Sequence, residues 1–169
     1  LDADVFATAL GLLAAVALAA AITVVVSRVL AHGVWAPDGT TALVGAFGVA
    51  AVATTGSLVF SEVYHFTPCE LCWVQRIAMY PLVVILGIAL ARRDLDVRRY
   101  VLPLSVAGLL VSTWHVLVQR VPAMAGTTSC EATAPCTGIW VEALGVLTIP
   151  TMAGIGFLAI TALLATARD

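Results

Sequence analysis

The chain has 169 residues, 62% hydrophobic and 11% charged, with a net charge of -2 and a mean hydropathy of +1.07. So few polar residues cannot cover a water-soluble domain of this length, which leaves an integral membrane protein of one compact domain, and the helix-length apolar runs that follow make the expected fold all-α. The eight basic residues are all arginine and form no patch of the kind nucleic acid requires.

Five apolar runs follow, each near the roughly 20 residues that cross a bilayer as a helix. The first, about Val5 to Val26, is rich in alanine, leucine and valine. It is N-terminal, as an uncleaved signal peptide would be. It is also too long for a signal core, and Asp2 and Asp4 stand where a signal carries basic residues, so a transmembrane helix is the better reading. The stretch His32 to Thr40, with Gly33, Pro37 and Gly39, breaks the helix before a second run from Thr41 to Phe60. Ser61 to Pro68 is more polar and leads into PCELCWVQR, Pro68 to Arg76. A third run extends from Cys72 to Leu90, a fourth from Tyr100 to Leu117 and a fifth from Leu144 to Leu164.

Between the third and fourth runs lies ARRDLDVRRY, the densest basic cluster in the chain. The positive-inside rule makes Arg92, Arg93, Arg98 and Arg99 cytoplasmic. Each crossing reverses the side, so the segment with Cys69 and Cys72 falls outside, as does Val121 to Ile139 with Cys130 and Cys136. Arg28 and Arg168 fall inside, the N-terminus falls outside, and Arg120 is the one basic residue against the rule. All four cysteines are then extracytoplasmic, two in each outer loop, where an oxidising compartment favours disulfides.

Several readings of those cysteines are open on spacing. Two structural staples are one, and a four-thiolate zinc site is another, although the wider Cys130 to Cys136 spacing and the oxidising side disfavour it. Redox exchange is the third. Cys69 and Cys72 are expected at the first turn of a helix, where the helix dipole lowers a thiol pKa. Arg76, four residues beyond Cys72 and so on the same face, is a costly charge inside the membrane and marks a binding site unless it snorkels to the headgroups. His115, with Trp114 before it and Gln119 and Arg120 after it, lies about 7 Å deep if its helix ends at Arg120. It either bonds a neighbouring helix's carbonyl or joins Arg76 in binding a polar head whose tail lies in lipid.

PCELCWVQR followed by an apolar helix, STWHVLVQ, a cysteine pair in the next outer loop, and a last helix containing Thr148, Ile149 and Pro150 together resemble the DsbB/BdbC disulfide-bond-formation proteins, on the BdbC-like side. The resemblance covers about Thr41 to Ala165. It implies a four-helix membrane bundle over 41–169, with residues 1–40 as an extra N-terminal transmembrane helix and linker. It implies a thiol:quinone oxidoreductase that reoxidises a DsbA-like thioredoxin-fold oxidase and passes electrons to menaquinone or ubiquinone. Carried onto this sequence, it makes Cys69 and Cys72 the quinone-linked pair, with Cys72 meeting the quinone ring. It makes Arg76 and His115 quinone-binding residues, and Cys130 and Cys136 the pair that exchanges with the partner, Cys130 forming the mixed disulfide. A vitamin-K-epoxide-reductase-like enzyme differs in order, since its CxxC follows the loop pair. A non-enzymatic membrane protein with structural disulfides is the remaining alternative.

Overall fold

The computed structural model describes residues 2–30, 36–127, 130 and 133–168. Five long helices dominate: α1 Ala3–Leu30, α2 Gly39–Leu58, α3 Glu70–Arg92, α4 Arg98–Arg120 and α5 Ile149–Thr166. All five are long and apolar enough to cross a membrane. Their outward faces carry bare aliphatic side chains, among them Val16, Ile77, Val84 and Leu110, which suits contact with lipid tails. Part of the linker expected at His32 to Thr40, residues 31–35, lies outside the described residues.

Local chemistry sets the helix ends. Asp38 caps α2 by accepting the Thr41 backbone N–H at 3.1 Å. Arg93 ends α3 in the left-handed region (φ 54°), and the N–H groups of Arg93 and Asp94 turn back to the carbonyls of Leu90 and Ala89. The short 3₁₀ turn Leu95–Val97 then starts α4. Pro81 and Pro103 lie inside α3 and α4, as membrane helices tolerate.

Two elements depart from simple apolar runs. The second run does not stop at Phe60. Its last turn widens into a π-helix, Val59–Val63, after which His65 (φ 54°) reverses the chain so that the Phe66 N–H reaches the Phe60 carbonyl at 2.9 Å. The fifth run is not helical from Leu144. Residues Leu144 and Gly145, both with positive φ, turn a small antiparallel hairpin, β1 Glu142–Ala143 with β2 Leu147–Thr148. Helix α5 begins only at Ile149, with Pro150 in its first turn, where proline's missing N–H costs nothing.

The core lies between α2, α3, α4 and α5, around Leu43, Leu82, Leu86, Val101, Phe157 and Ile160, all almost fully buried. Helices α4 and α5 meet where Gly108 faces the Phe157 ring, and any Cβ there would overlap the ring. Small residues are what allow membrane helices to approach so closely. At one end of the bundle the Arg168 N–H donates to the Pro37 carbonyl and Leu95 covers Gly39. At the other end, Cys69, Val118, Ala134 and Cys136 form a separate buried cluster, with Cys72 and Cys130 packed against it. Both cysteine pairs therefore share one end, opposite the arginine-rich turn. Helix α1 packs on α5 and on the hairpin, and Phe6 near its start meets Phe60 edge to face with centroids 5.4 Å apart.

Candidate functional site

Cys69 is the residue from which α3 starts. Its sulfur accepts the Cys72 backbone N–H at 3.4 Å and so acts as the N-cap, a role usually taken by Ser, Thr, Asp or Asn. The Cys69 and Cys72 sulfurs also share a hydrogen bond, 2.9 Å apart. That hydrogen bond, then His115, holds the Cys69 thiol down at about 4 from its ordinary 9.0, against the opposing effect of burial. Cys69 and Cys72 are free thiols, whereas Cys130 and Cys136 are joined, with Cα atoms 5.8 Å apart. Of the two staples that spacing allows, one is closed here. A four-thiolate zinc site would need both sulfurs of that closed pair reduced.

His115 sits between the two pairs. It is almost fully buried, with Nε2 3.1 Å from the Cys136 carbonyl oxygen and 3.6 Å from Cys69 Sγ, while Nδ1 lies 3.1 Å from the Gln75 side-chain nitrogen. The carbonyl can only accept and the amide nitrogen can only donate. Nε2 therefore carries the proton and Nδ1 is the acceptor. Cys69 Sγ, the His115 ring and Cys136 Sγ all lie within 4.8 Å of one another. Cys136 is buried at 2% exposure, and Cys130 is only partly covered.

Arg76 faces elsewhere. Its Nε donates to Ser57 Oγ and its Nη2 to the Ser57 carbonyl, both at 2.9 Å, and its guanidinium lies 5.1 Å from the centre of the Trp73 ring. Tyr80 donates to the same Ser57 hydroxyl at 3.3 Å. Ser57 lies just before the π-helical turn, a place where backbone carbonyls leave the regular ladder and become free for side chains. The guanidinium is thus tied to α2 through both the side chain and the backbone of Ser57.

Cys72, Gln75 and Arg76 line one end of a cavity of about 370 Å³, which is of the size that holds small organic ligands. Ser57 and Tyr80 complete its polar end, and the rest is lined by apolar side chains. His115 does not line it. Instead His115 borders a second, smaller space with Cys69, Cys72 and Gln119. Arg76 and His115 therefore border different but adjoining spaces, which share Cys72, Trp140 and Ile149. Arg76 turns to the large cavity and His115 turns inward to the sulfurs, because α3 and α4 present different faces to them.

Three supporting residues carried no role in the sequence reading. Gln75 fixes the His115 ring; a polar residue beside Arg76 inside an apolar helix is the signal for it. Gln119 donates to the Gly138 carbonyl at 3.0 Å and accepts from the buried Thr148 hydroxyl at 3.0 Å, so it fastens the disulfide loop to the start of α5. It stands four residues after His115, one helical turn on the same face. Ser57 had no sequence signal. Arg120, the residue against the charge rule, pairs with Glu142 at 2.8 Å and donates to the Val146 carbonyl at 3.1 Å, and so clamps the hairpin.

The family model described as "Disulfide bond formation protein DsbB" matches residues 39–167. The "Disulfide bond formation protein C" of Bacillus subtilis is 49% identical over 112 residues, 66% of this chain and 81% of that protein. The "Probable disulfide formation protein C" of Bacillus cereus is 44% identical over 119 residues, 70% of this chain and 86% of that one. A "Probable disulfide formation protein" of Deinococcus radiodurans is 47% identical over 130 residues, covering 72% and 84%. No solved structure matches the chain. A multi-pass helical bundle with a free dithiol and a closed disulfide stacked at one end, matched along 39–167, belongs to the DsbB family, and on its BdbC-like side is a disulfide-generating membrane oxidoreductase.

Proposed function

We propose that the protein is a thiol:quinone oxidoreductase that reoxidises an extracytoplasmic, DsbA-like thioredoxin-fold oxidase and delivers the electrons to a membrane quinone. The observation that carries this reading is the series arrangement of sulfurs: partly covered Cys130, buried Cys136, Cys69 within 4.8 Å of it, and Cys72 on the Arg76 cavity. The positive-inside rule, applied to the arginines of 92–99 at the opposite end, supports an extracytoplasmic location for both pairs. In this reading 41–169 is the redox core and residues 1–40 are an added helix and linker.

The exchange balances as four thiol-disulfide steps. A partner thiolate attacks Cys130 Sγ, the Cys130–Cys136 bond breaks, and Cys136 leaves as a thiolate. The partner's second thiolate then resolves the mixed disulfide, which oxidises the partner and frees Cys130 as a thiolate. Cys136 attacks Cys69 in an oxidised Cys69–Cys72 pair and releases Cys72. Cys130 then attacks Cys136, which restores the outer disulfide and releases Cys69. Two electrons have moved from the partner dithiol to Cys69 and Cys72. The His115 Nε2–H, already directed at this junction, stabilises negative charge on the departing sulfur.

The large cavity fits the acceptor class, because its few polar groups gather beside Cys72 and its remainder is apolar. A quinone held there by Arg76, Tyr80 and Ser57 would supply a two-electron, two-proton acceptor, becoming quinol as Cys69 and Cys72 return to a disulfide. Arg76 supplies fixed positive charge beside Cys72, and the apolar walls exclude water. The reading is tested by quinone reduction with the purified protein in detergent and a reduced thioredoxin-fold oxidase as donor. Turnover is expected for the native chain and is expected to vanish in Cys72→Ser and in Cys130→Ser. A native chain with its disulfides intact that reduces neither menaquinone nor ubiquinone would overturn it.

A further inference from the structure

The large cavity does not end at the cysteines. It runs between α2, α5 and α1, and α1 contributes Leu10, Leu13, Ala14, Val16, Ala17 and Ala20. Leu10 to Ala20 is eleven residues, ten steps of about 1.5 Å, or roughly 15 Å along the helix axis. A compact ring seated beside Cys72 would leave most of that length empty. The polar groups are confined to the Cys72 and Arg76 end, so whatever fills the remainder is apolar and continuous with a polar, redox-active head.

Helix α1 is held in place by specific packing. Gly11 lies against the hairpin so closely that a Cβ there would come within 2.8 Å of Ala143 Cβ, and a Cβ at Gly56 of α2 would come within 2.8 Å of Leu10 Cδ1. Ala7 and Ala21 are buried at 2% and 3% exposure, Ala21 against Ala159 and Ala162 of α5. Two close approaches and two buried alanines, spread over four turns, fix one face of α1 toward the cavity. Yet α1 lies wholly before residue 39, where the family match begins.

We infer that α1 is a working wall of the acceptor site, forming the side of the channel along which the apolar tail of the membrane quinone lies. This rests on the quinone reading above and extends it. The core would supply the redox end, and the added helix would set which tailed quinones are held and how tightly. The channel is open to lipid along exposed Leu13 and Val16, which gives a tail a lateral route in.

The test uses the full chain in detergent and a quinone carrying a photoreactive diazirine in its tail. Irradiation is expected to label the α1 peptide containing Leu10 to Ala20 together with the facing part of α2, and unlabelled tailed quinone is expected to compete. In parallel, Ala14→Phe, with its fold checked by thermal unfolding, is expected to raise the ratio of KM for a tailed quinone over KM for tail-less menadione by about fivefold. Leu13→Ala, which leaves the channel wider, is a second variant expected to move the same ratio. Absence of label from α1 in protein that does reduce tailed quinone would overturn the inference and leave the quinone reading standing. So would an α1 label displaced by phosphatidylcholine and not by quinone. Failure to reduce any quinone would instead overturn the reading on which the inference rests.

Discussion

Cys69 Sγ and Cys136 Sγ come within 4.8 Å of each other although they belong to different cysteine pairs and are separated by most of α3, α4 and the outer loop. Cys136 rather than Cys130 is therefore the loop sulfur presented to the inner pair. The expected consequence is a specific cross-pair bond. In a Cys72→Ser, Cys130→Ser double variant, the two remaining sulfurs have no partners but each other, and mild oxidation should close a Cys69–Cys136 disulfide. Peptide mapping without reduction checks this. Two free thiols after oxidation of folded protein would mean that the sulfurs do not meet.

His115 bridges these sulfurs with a donor held by Gln75. Replacing it with alanine leaves the Cys136 carbonyl without its buried partner and removes the charge-stabilising donor beside Cys69. Exchange between the pairs should slow by about tenfold, equivalent to one hydrogen bond of about 1.4 kcal/mol. Quenched alkylation of the inner pair after mixing with a reduced partner gives the rate. Gln75→Leu should produce a smaller loss by freeing the ring to turn, and it should leave His115 buried.

The low pKa of Cys69 makes a pH prediction with a definite sign. Its folded value of about 4 lies below the ordinary 9.0, so the dithiol form gains stability that is fully present above 9 and is lost as pH falls through about 4. Between those limits, reduction of the pair takes up one proton rather than two. Its reduction potential should then change by about 30 mV per pH unit, against about 59 mV for two protons. Redox titration at pH 6, 7 and 8 measures the slope. Cys72→Ala cannot form the pair. It also removes the largest cause of the shift, so the Cys69 thiolate absorbance should then appear at higher pH.

The parts of this site that were legible in sequence are those set by spacing along one helix. Cys72 and Arg76 are four residues apart and do line one cavity. His115 and Gln119 have the same spacing and both border the smaller space. The rotation of α4 relative to α3 was not legible, and it is rotation that turns His115 to the sulfurs instead of to Arg76. The π-turn at Val59–Val63 has no compositional mark, so the role of Ser57 stayed hidden. The hairpin before α5 was obscured by apolar residues that read equally as helix. Pro150, preferred in a first helical turn, was the cue to the true start.

Arg76 makes two donations to Ser57 from different nitrogens of one planar group and lies over Trp73. Lysine has one nitrogen and cannot reproduce the fork. Arg76→Lys is expected to fold and to keep exchange between the cysteine pairs, while kcat/KM for quinone falls by at least about tenfold, the worth of one charged hydrogen bond. Steady-state assays with a fixed reduced partner distinguish this from a folding defect. Ser57→Ala removes the hydroxyl but leaves the carbonyl, so its effect should be smaller than that of the lysine variant.

Gln119 joins three elements through one amide: α4 carries it, Gly138 of the disulfide loop accepts from it, and Thr148 at the start of α5 donates to it. Each neighbour is an obligatory polar group near or within the protein interior, and Thr148 is 1% exposed. Gln119→Ala should therefore leave a carbonyl and a hydroxyl without this partner and cost roughly 1–3 kcal/mol. Gln119→Glu separates the two roles, since a carboxylate can accept from Thr148 but cannot donate to Gly138. If the loop bond matters for exchange, both variants should show faster hydrogen exchange around Gly138 and slower transfer from Cys136 to Cys69. Only the alanine variant should also loosen the amides at the start of α5. Equal loosening there in both would mean that the Thr148 bond contributes little to holding the helix start, and that the hairpin, clamped by Arg120, is the stronger tie.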